Sequence, residues 1–318
     1  MNLLSAIRDR MSTKLVVLLG LIVGLIAVLI IMPNVDGSAF GEAVSQAVEQ
    51  PFGMAVALAG FGIAFIFRAV AWRRILPQLP FSHALSAIHL SLGANHVLPF
   101  RLGEPLRILS VVRRQRIGLE AATVSTVTLR AADILSVMLV GALVAPSAFF
   151  SLVGIVGWVL LAGVLLVSFF GWKWLSSVAQ RRADVIMPGP AVLFLSLGAW
   201  VAEAILVRQA AMWAGINLSW SEALLVTTVS VAAQIAAIAP GGFGTYEAAA
   251  VAAYVVLGYD AKPALIAALG AHALKTAYSI LVGVVAVFTP APSFIGRFRL
   301  GKVNQLDTNP VLDADAPI

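Results

Sequence analysis

The 318-residue sequence contains no cysteine and few charged residues. The missing cysteines exclude disulfides, thiol nucleophiles and cysteine-based metal sites. Charged residues make up 11% and hydrophobic residues 60% of the chain, whereas an ordinary soluble domain is about half apolar and roughly a quarter charged. The composition therefore predicts a membrane protein.

Motifs of common enzymes are also missing. The chain has neither His-Glu-x-x-His nor Gly-x-Ser-x-Gly, which mark zinc peptidases and serine hydrolases. Gly242-x-Gly244 begins like a dinucleotide fingerprint, but Glu247 stands where the third glycine belongs. Three histidines lack metal-ligand spacing and are expected to make polar helix contacts: His83, His89 and His96. We expect no enzymatic activity, no cofactor and no metal.

Continuous apolar runs of about twenty residues are typical of transmembrane helices rather than of barrel strands, which alternate over about ten residues. The runs predict an all-α polytopic membrane protein with six transmembrane helices at residues 15–32, 51–72, 119–144, 152–172, 191–214 and 263–288. Two further runs are broken by proline and glycine and predict re-entrant hairpins, at residues 81–98 with 103–112 and at 221–239 with 244–257.

The placement of basic residues predicts the orientation, because cytoplasmic loops are rich in Lys and Arg. Lys262 is the one base that falls in a predicted extracytoplasmic loop. We expect a cell inner or plasma membrane location, cytoplasmic termini, one transmembrane domain over residues 1–303 and a disordered tail at 304–318. Fourteen of the 21 bases lie in predicted cytoplasmic segments: Arg8, Arg10, Lys14, Arg73, Arg74, Arg113, Arg114, Arg116, Lys173, Arg181, Arg182, Arg297, Arg299 and Lys302.

The two halves of the sequence share an ordered set of features. Pro99-x-x-x-Gly103 falls opposite Pro240-x-x-x-Gly244, and Gly118 falls opposite Gly258. The predicted topology turns the second copy upside down relative to the first. The sequence thus predicts an inverted repeat of about residues 13–147 and 150–289, an arrangement typical of transporters whose binding site lies at the paired helix breaks.

The first helix break is strongly charged. Pro99 removes a backbone donor and Gly103 permits a close turn, while the helix that begins near Gly103 points its amides at the break. Arg101 and Arg107 can grip phosphate or carboxylate, and Glu104 can pair with either arginine or carry a proton. The alternative is an internal salt bridge that closes the hairpin.

The second helix break is rich in glycine instead. Gly241, Gly242 and Gly244 supply free amides, and Glu247 follows them. We expect Glu247 to line the cavity as a ligand partner or proton carrier, because an acid is costly in lipid. A simple hydrogen bond between helices is the alternative.

Two further charged pairs follow the hairpins. Arg130 and Asp133 are spaced i, i+3, and so are His272 and Lys275, so each pair shares one helix face. The first pair is also consistent with a purely structural ion pair. The second pair needs an acidic partner, such as Glu247 or Glu203, or an anionic ligand.

The charges within the apolar segments favour an anionic ligand. Six bases lie there against four acids, Glu104, Asp133, Glu203 and Glu247, which leaves an excess of two positive charges. A buried charge without a partner is costly, and a bound anion would balance it. Two of these bases, Arg68 and Arg208, lie near helix ends and are expected to reach lipid headgroups. The six bases are Arg68, Arg101, Arg107, Arg130, Arg208 and Lys275.

At these motifs the sequence resembles the membrane part of lysylphosphatidylglycerol synthases and the free-standing proteins of the same flippase-like family. The family often has Glu before the arginine that matches Arg130, where this chain has Leu129. The resemblance implies a lipid-translocating module without the soluble aminoacyl-transferring domain. The matching residues are Asn95, Pro99, Arg101, Gly103, Glu104, Arg107, Arg130 and Asp133, then Pro240, Gly241, Gly244 and Glu247.

The function expected from the sequence is translocation of an anionic lipid, a phospholipid derivative or a polyprenyl-phosphate-linked lipid, between leaflets. Alternatives are an ion-coupled secondary transporter of a small anionic solute and a membrane-embedded enzyme acting on lipid phosphate. A non-transporting partner of a lipid-modifying enzyme is a further hypothesis. No nucleic-acid partner is expected, because the bases flank membrane spans.

Overall fold

The computed structural model describes residues 22–144, 185–235 and 239–295, with isolated positions 18, 19, 146, 170, 177 and 237. Within these ranges all regular structure is helical. The predicted helix at 152–172, the basic segments near both termini and the predicted tail at 304–318 lie outside the described residues. The helices are α1 (Ile22–Asn34), α2 (Gly37–Glu49), α3 (Pro51–Ile75), α4 (Phe81–Val97), α5 (Gly103–Gln115), α6 (Leu119–Val144), α7 (Pro190–Trp213), α8 (Trp220–Ile235), α9 (Thr245–Val256) and α10 (Ala261–Phe288).

Four of the described helices, α3, α6, α7 and α10, are long and apolar enough to cross a membrane. Their outer faces carry apolar side chains such as Phe52 and Phe194, which are 82% and 70% exposed. Such a surface is unfavourable in water and favourable in lipid. The chain is therefore a helical membrane protein, as its composition predicts.

Helix α2 was not predicted as an element. It bends by 97° from α1 at residues 35–36. The Asp36 side chain caps α2 and accepts hydrogen bonds from the Ser38 and Ala39 amides at 3.0 and 3.2 Å. Such a cap supplies acceptors for amides that have no partner within the helix. Only Ala47 of α2 is buried, so α2 lies on the outside of the described structure.

The helices pack in an arrangement that brings the two halves of the sequence together. Helix α3 packs along α7, and α4 packs along α10. Each broken run forms a packed pair, α4 with α5 and α8 with α9. Proline marks several of the boundaries, because Pro51 and Pro190 begin α3 and α7 and proline is well accommodated in a first helical turn.

The crossing of α4 and α10 is unusually close. A Cβ atom built on Gly93 would lie 2.8 Å from the Gly283 Cα and 2.8 Å from the Ser279 carbonyl oxygen. Glycines at such a crossing allow two helix backbones to touch, as they do in other membrane proteins. Since α4 leads to the first break and α10 carries His272 and Lys275, this contact sets the position of both.

We predict that Gly283→Ala lowers stability by about 1–3 kcal/mol, because the added methyl would meet backbone atoms that cannot move aside. Gly270→Ala, in the same helix, is the matched control: a Cβ there meets no atom within 4 Å. The control should instead stabilise by about 0.5–1 kcal/mol. Thermal unfolding in detergent checks this, and equal midpoints for the two variants would contradict the close crossing.

Candidate functional site

The first break is a tight turn whose backbone geometry is unusual. Between α4 and α5, residues Pro99–Arg101 form one 3-10 turn, in which Phe100 and Arg101 have φ of +56° and +53°. The Asn95 side chain accepts a hydrogen bond from the Gly103 amide at 2.8 Å. A Cβ on Gly103 would collide with the Ser91 carbonyl oxygen. Glycine is therefore required there, as the sequence predicts, and Asn95 is what holds the turn.

The second break, between α8 and α9, depends on glycine. Gly241, Gly242 and Gly244 have φ of +65°, +79° and +83°, values that favour glycine over other residues. The Gly241 carbonyl oxygen accepts hydrogen bonds from the Gln234 side chain and, at 3.1 Å, from His272 Nε2. The turn is thus fixed at Gly241 by side chains of α8 and α10.

The Glu247 side chain stabilises the second break through hydrogen bonds. One of its carboxylate oxygens accepts from the Gly244 amide at 2.8 Å, and the other lies 2.6 Å from His272 Nδ1. Since both nitrogens of His272 face acceptors, at Glu247 and at Gly241, the two side chains must share a proton. Glu247 therefore bonds to both the turn and α10.

A chain of ion pairs begins at the first break. The Glu104 carboxylate is bound by Arg107, at 3.8 Å, and by Arg130. Arg130 also lies 3.6 Å from the Asp133 carboxylate. The salt bridges of Glu104 thus run within α5 and on to α6. The predicted pairing of Glu104 with one of the two arginines is confirmed for Arg107, but among the described residues no salt bridge of Glu104 reaches α4.

The ion pairs continue through Arg68 of α3. Its guanidinium lies 3.6 Å from Asp133 and 3.0 Å from Glu203 of α7, and Lys275 of α10 lies 2.8 Å from the other Glu203 oxygen. We call the seven connected residues the charge chain. Basic and acidic members alternate along it in the order Arg107, Glu104, Arg130, Asp133, Arg68, Glu203 and Lys275.

The expectation that Arg68 reaches the headgroups is wrong. Arg68 is 5% exposed, because two carboxylates and the ring of Trp200, 4.5 Å from its guanidinium, offset the cost of its burial. Arg208 does lie outside the charge chain, and it donates to the Leu218 carbonyl oxygen at 3.0 Å. The predicted need of His272 and Lys275 for acidic partners is confirmed, with Glu247 and Glu203 in those roles.

A cavity of about 90 Å³ lies between the two breaks and the charge chain. Arg101 lines it and forms no ion pair or hydrogen bond with any described residue. Arg107 also lines it, with its guanidinium 4.0 Å from the Trp72 ring and two buried nitrogens, Nε and Nη2, lacking acceptors within the described part of the chain. Buried donors almost always have acceptors, so this cavity has the character of a site for an oxygen-rich ligand.

The charge around this cavity is positive. The charge chain has four bases and three acids, an excess of one, and Arg101 adds a second positive charge. The proton shared by Glu247 and His272 leaves that pair neutral overall. The excess of two expected from the sequence therefore persists in the structure of the described residues, and it lies at the cavity.

The model of the lysylphosphatidylglycerol synthase transmembrane region matches residues 17–283. The chain belongs to this family. Within this family member, Leu129, at the position where the sequence departs from the family pattern, is fully buried in the apolar core. A search of curated proteins finds no match.

The structure places the predicted site residues of this lysylphosphatidylglycerol synthase relative in two groups and adds others. Gly244 faces α1 rather than the cavity. The predicted residues that line the cavity are Asn95, Arg101, Arg107, Arg130, Gly241, Gly242 and Lys275. Four predicted residues do not line the cavity but form salt bridges with residues that line it or with each other: Glu104, Asp133, Glu247 and His272. The residues that sequence reasoning did not assign to the site are Arg68, Trp72, Ser91, His96, Trp200 and Gln234.

His96 is one of the site residues that the sequence did not predict. Its Nδ1 bonds to the Leu92 carbonyl oxygen at 2.9 Å, a polar contact within its own helix as expected for the early histidines. Its Nε2, however, is buried without a partner among the described residues, and the side chain lines the cavity. The position of His96 five residues before Arg101, on the helix that leads to the break, was the available signal.

We predict that Glu203→Gln destabilises the protein by about 3–5 kcal/mol, because it leaves Arg68 and Lys275 buried without their shared carboxylate. Glu42→Gln is the control: Glu42 is exposed on α2, and its loss should change stability by no more than about 0.5 kcal/mol. Chemical or thermal unfolding of both variants in detergent measures the difference. An unchanged Glu203→Gln protein would show that the charge chain does not hold these helices together.

Proposed function

We propose that this protein is a lipid translocase that moves an anionic or phosphate-bearing lipid between the leaflets of a cell inner or plasma membrane. The observation that carries the proposal is the positively charged cavity between two helix breaks, where Arg101 forms no salt bridge and two nitrogens of Arg107 lack acceptors within the described residues. Membership of a lysylphosphatidylglycerol synthase transmembrane family supports a lipid-related role.

The architecture that we propose is six spans and two re-entrant hairpins in an inverted repeat, with both termini cytoplasmic. Three observations support it: each broken run forms a packed helix pair, the two breaks contact each other, and α3 lies along α7. In inverted-repeat transporters the halves move relative to each other around a central site. Movement of one half would expose the cavity to each leaflet in turn.

The arginines lower the barrier that keeps a headgroup out of the membrane interior. A charged group at the bilayer centre is costly without a partner, and guanidinium donors match the oxygens of phosphate in geometry and charge. In this mechanism Arg101 and Arg107 hold the headgroup while the acyl or prenyl chains stay in the surrounding lipid. Phospholipid derivatives and polyprenyl phosphates both fit this chemistry, and a lipid-modifying enzyme is the partner we would expect to supply such a substrate.

A second candidate function is ion-coupled transport of a small anionic solute. The cavity volume of about 90 Å³ favours it, because that space holds a group the size of phosphate but no lipid tail. The two candidates differ in what crosses the membrane, and vesicle assays separate them. Release of an encapsulated small anion without lipid movement would select the second.

We predict that Arg101→Gln strongly slows movement of a fluorescent anionic phospholipid between leaflets of proteoliposomes without preventing folding, because Arg101 forms no salt bridge within the described residues. One charged hydrogen bond contributes about 1.5–3 kcal/mol, so Arg101→Gln should slow translocation roughly ten- to a hundred-fold. Arg74→Gln removes an exposed arginine at the end of α3 and should translocate lipid at the unaltered rate. Lipid translocation by Arg101→Gln as fast as by Arg74→Gln would reject the proposal.

A further inference from the structure

A second and larger cavity lies on the side of the second break that faces α1. It is a groove of about 830 Å³ between α1 on one side and α9 and α10 on the other. The groove is open to the surroundings of the protein, and most of its walls are apolar, including Ile30, Ile31, Val251 and Leu265. Its volume is in the range of sites that hold a ligand.

The second break separates this groove from the charged cavity. A Cβ on Gly241 would meet His96 and His272 on the cavity side, at 3.3 and 3.6 Å. A Cβ on Gly244 would instead lie 2.6 Å from Ala27 Cβ, on the α1 side. The glycine-rich turn, with the hydrogen-bonded Glu247 and His272 side chains beside it, therefore lies between the two cavities.

The ends of the groove differ in chemistry. Gly244 and Glu247 form its inner end, and Asp36 and Lys262 lie at its outer end. The Asp36 carboxylate is already engaged by the amides of α2. Lys262 is exposed, and it attracts the Asp36 carboxylate electrostatically but forms no salt bridge within 4 Å with any described residue. Because Asp36 is bonded to backbone amides, the outer end still offers the Lys262 ammonium group above an apolar wall.

The length of the groove fits one leaflet. Its α1 wall runs from Ala27 to Asn34, which is about 12 Å at the rise of a helix. Half of the hydrocarbon core of a bilayer is about 15 Å. An acyl chain that enters beside Lys262 would therefore reach the second break near its methyl end.

We infer that this groove binds one phospholipid, with its phosphate at Lys262 and an acyl chain along Ile30, Ile31, Val251 and Leu265. The occupant is a lipid rather than a free phosphate because a single cation stands above an apolar wall of leaflet length. That the groove serves as the lateral entrance to the charged cavity rests on the proposed function, whereas the binding of a phospholipid in the groove does not.

The test uses the full chain in liposomes that contain phosphatidylglycerol with a photoactivatable diazirine in one acyl chain. After illumination, mass spectrometry of the peptides should place the label on the groove segments of α1, α9 and α10. Ala248→Trp fills the groove from an exposed position in its wall and should abolish this labelling. Ala277→Trp, at an exposed position of α10 outside the groove, is the matched control and should be labelled like the unaltered protein.

The headgroup end has its own variants. Lys262→Gln should raise the lipid concentration for half-maximal labelling about five-fold, because one lysine near an anionic lipid contributes about 1 kcal/mol. Lys262→Arg should restore the original value. The same diazirine on diacylglycerol, which lacks phosphate, should label the groove weakly and without dependence on Lys262.

Three results would overturn the inference. Equal labelling of Ala248→Trp and Ala277→Trp would show that no lipid lies in the groove. Equal labelling by diacylglycerol would show that Lys262 does not bind the lipid phosphate. Loss of labelling in excess inorganic phosphate would show that Lys262 binds a free anion instead. Groove labelling that persists while no lipid crosses the membrane would reject only the translocase, whereas translocation without groove labelling would reject only the groove site.

Discussion

The alternating charges that run from Arg107 to Lys275 are the constraint on which the interior of this protein depends. Each of these groups would be costly alone in a low-dielectric environment, and removal of one member exposes its neighbours to that cost. The members come from five helices, α3, α5, α6, α7 and α10. The helices must therefore meet at this point for the charges to be tolerated at all.

A buried ion-pair chain is weak support for stability, because well-packed apolar residues often stabilise a core as well or better. The charge chain is better explained by its effect on the neighbouring cavity, which it keeps positively charged. Three acids are enough to hold four bases in place, and they leave Arg101 and part of Arg107 for a ligand. The two breaks contribute different groups to the cavity. The first contributes arginines, and the second contributes a glycine turn held by His272 and Glu247.

Much of this arrangement could be predicted from local sequence. The eight helices from Pro51 onward within the described ranges end within four residues of their predicted bounds, since apolar runs, prolines and glycines mark the ends directly. The acidic partners of His272 and Lys275 followed from the cost of buried charge. The place of Arg68 could not be predicted, because its two carboxylates come from α6 and α7 and depend on how these helices meet. The 97° bend before α2 and the contact of Gly244 with Ala27 likewise depend on packing between distant segments.

The central claim is that the excess positive charge between the breaks binds an anionic headgroup. An experimental structure of the protein in nanodiscs of an anionic phospholipid tests it most directly. The account predicts density for a phosphate group within hydrogen-bond distance of Arg101 and Arg107, with the attached chains leaving toward the surrounding lipid. A cavity without headgroup density, in which Arg101 has turned to a carboxylate of the protein, would contradict the account.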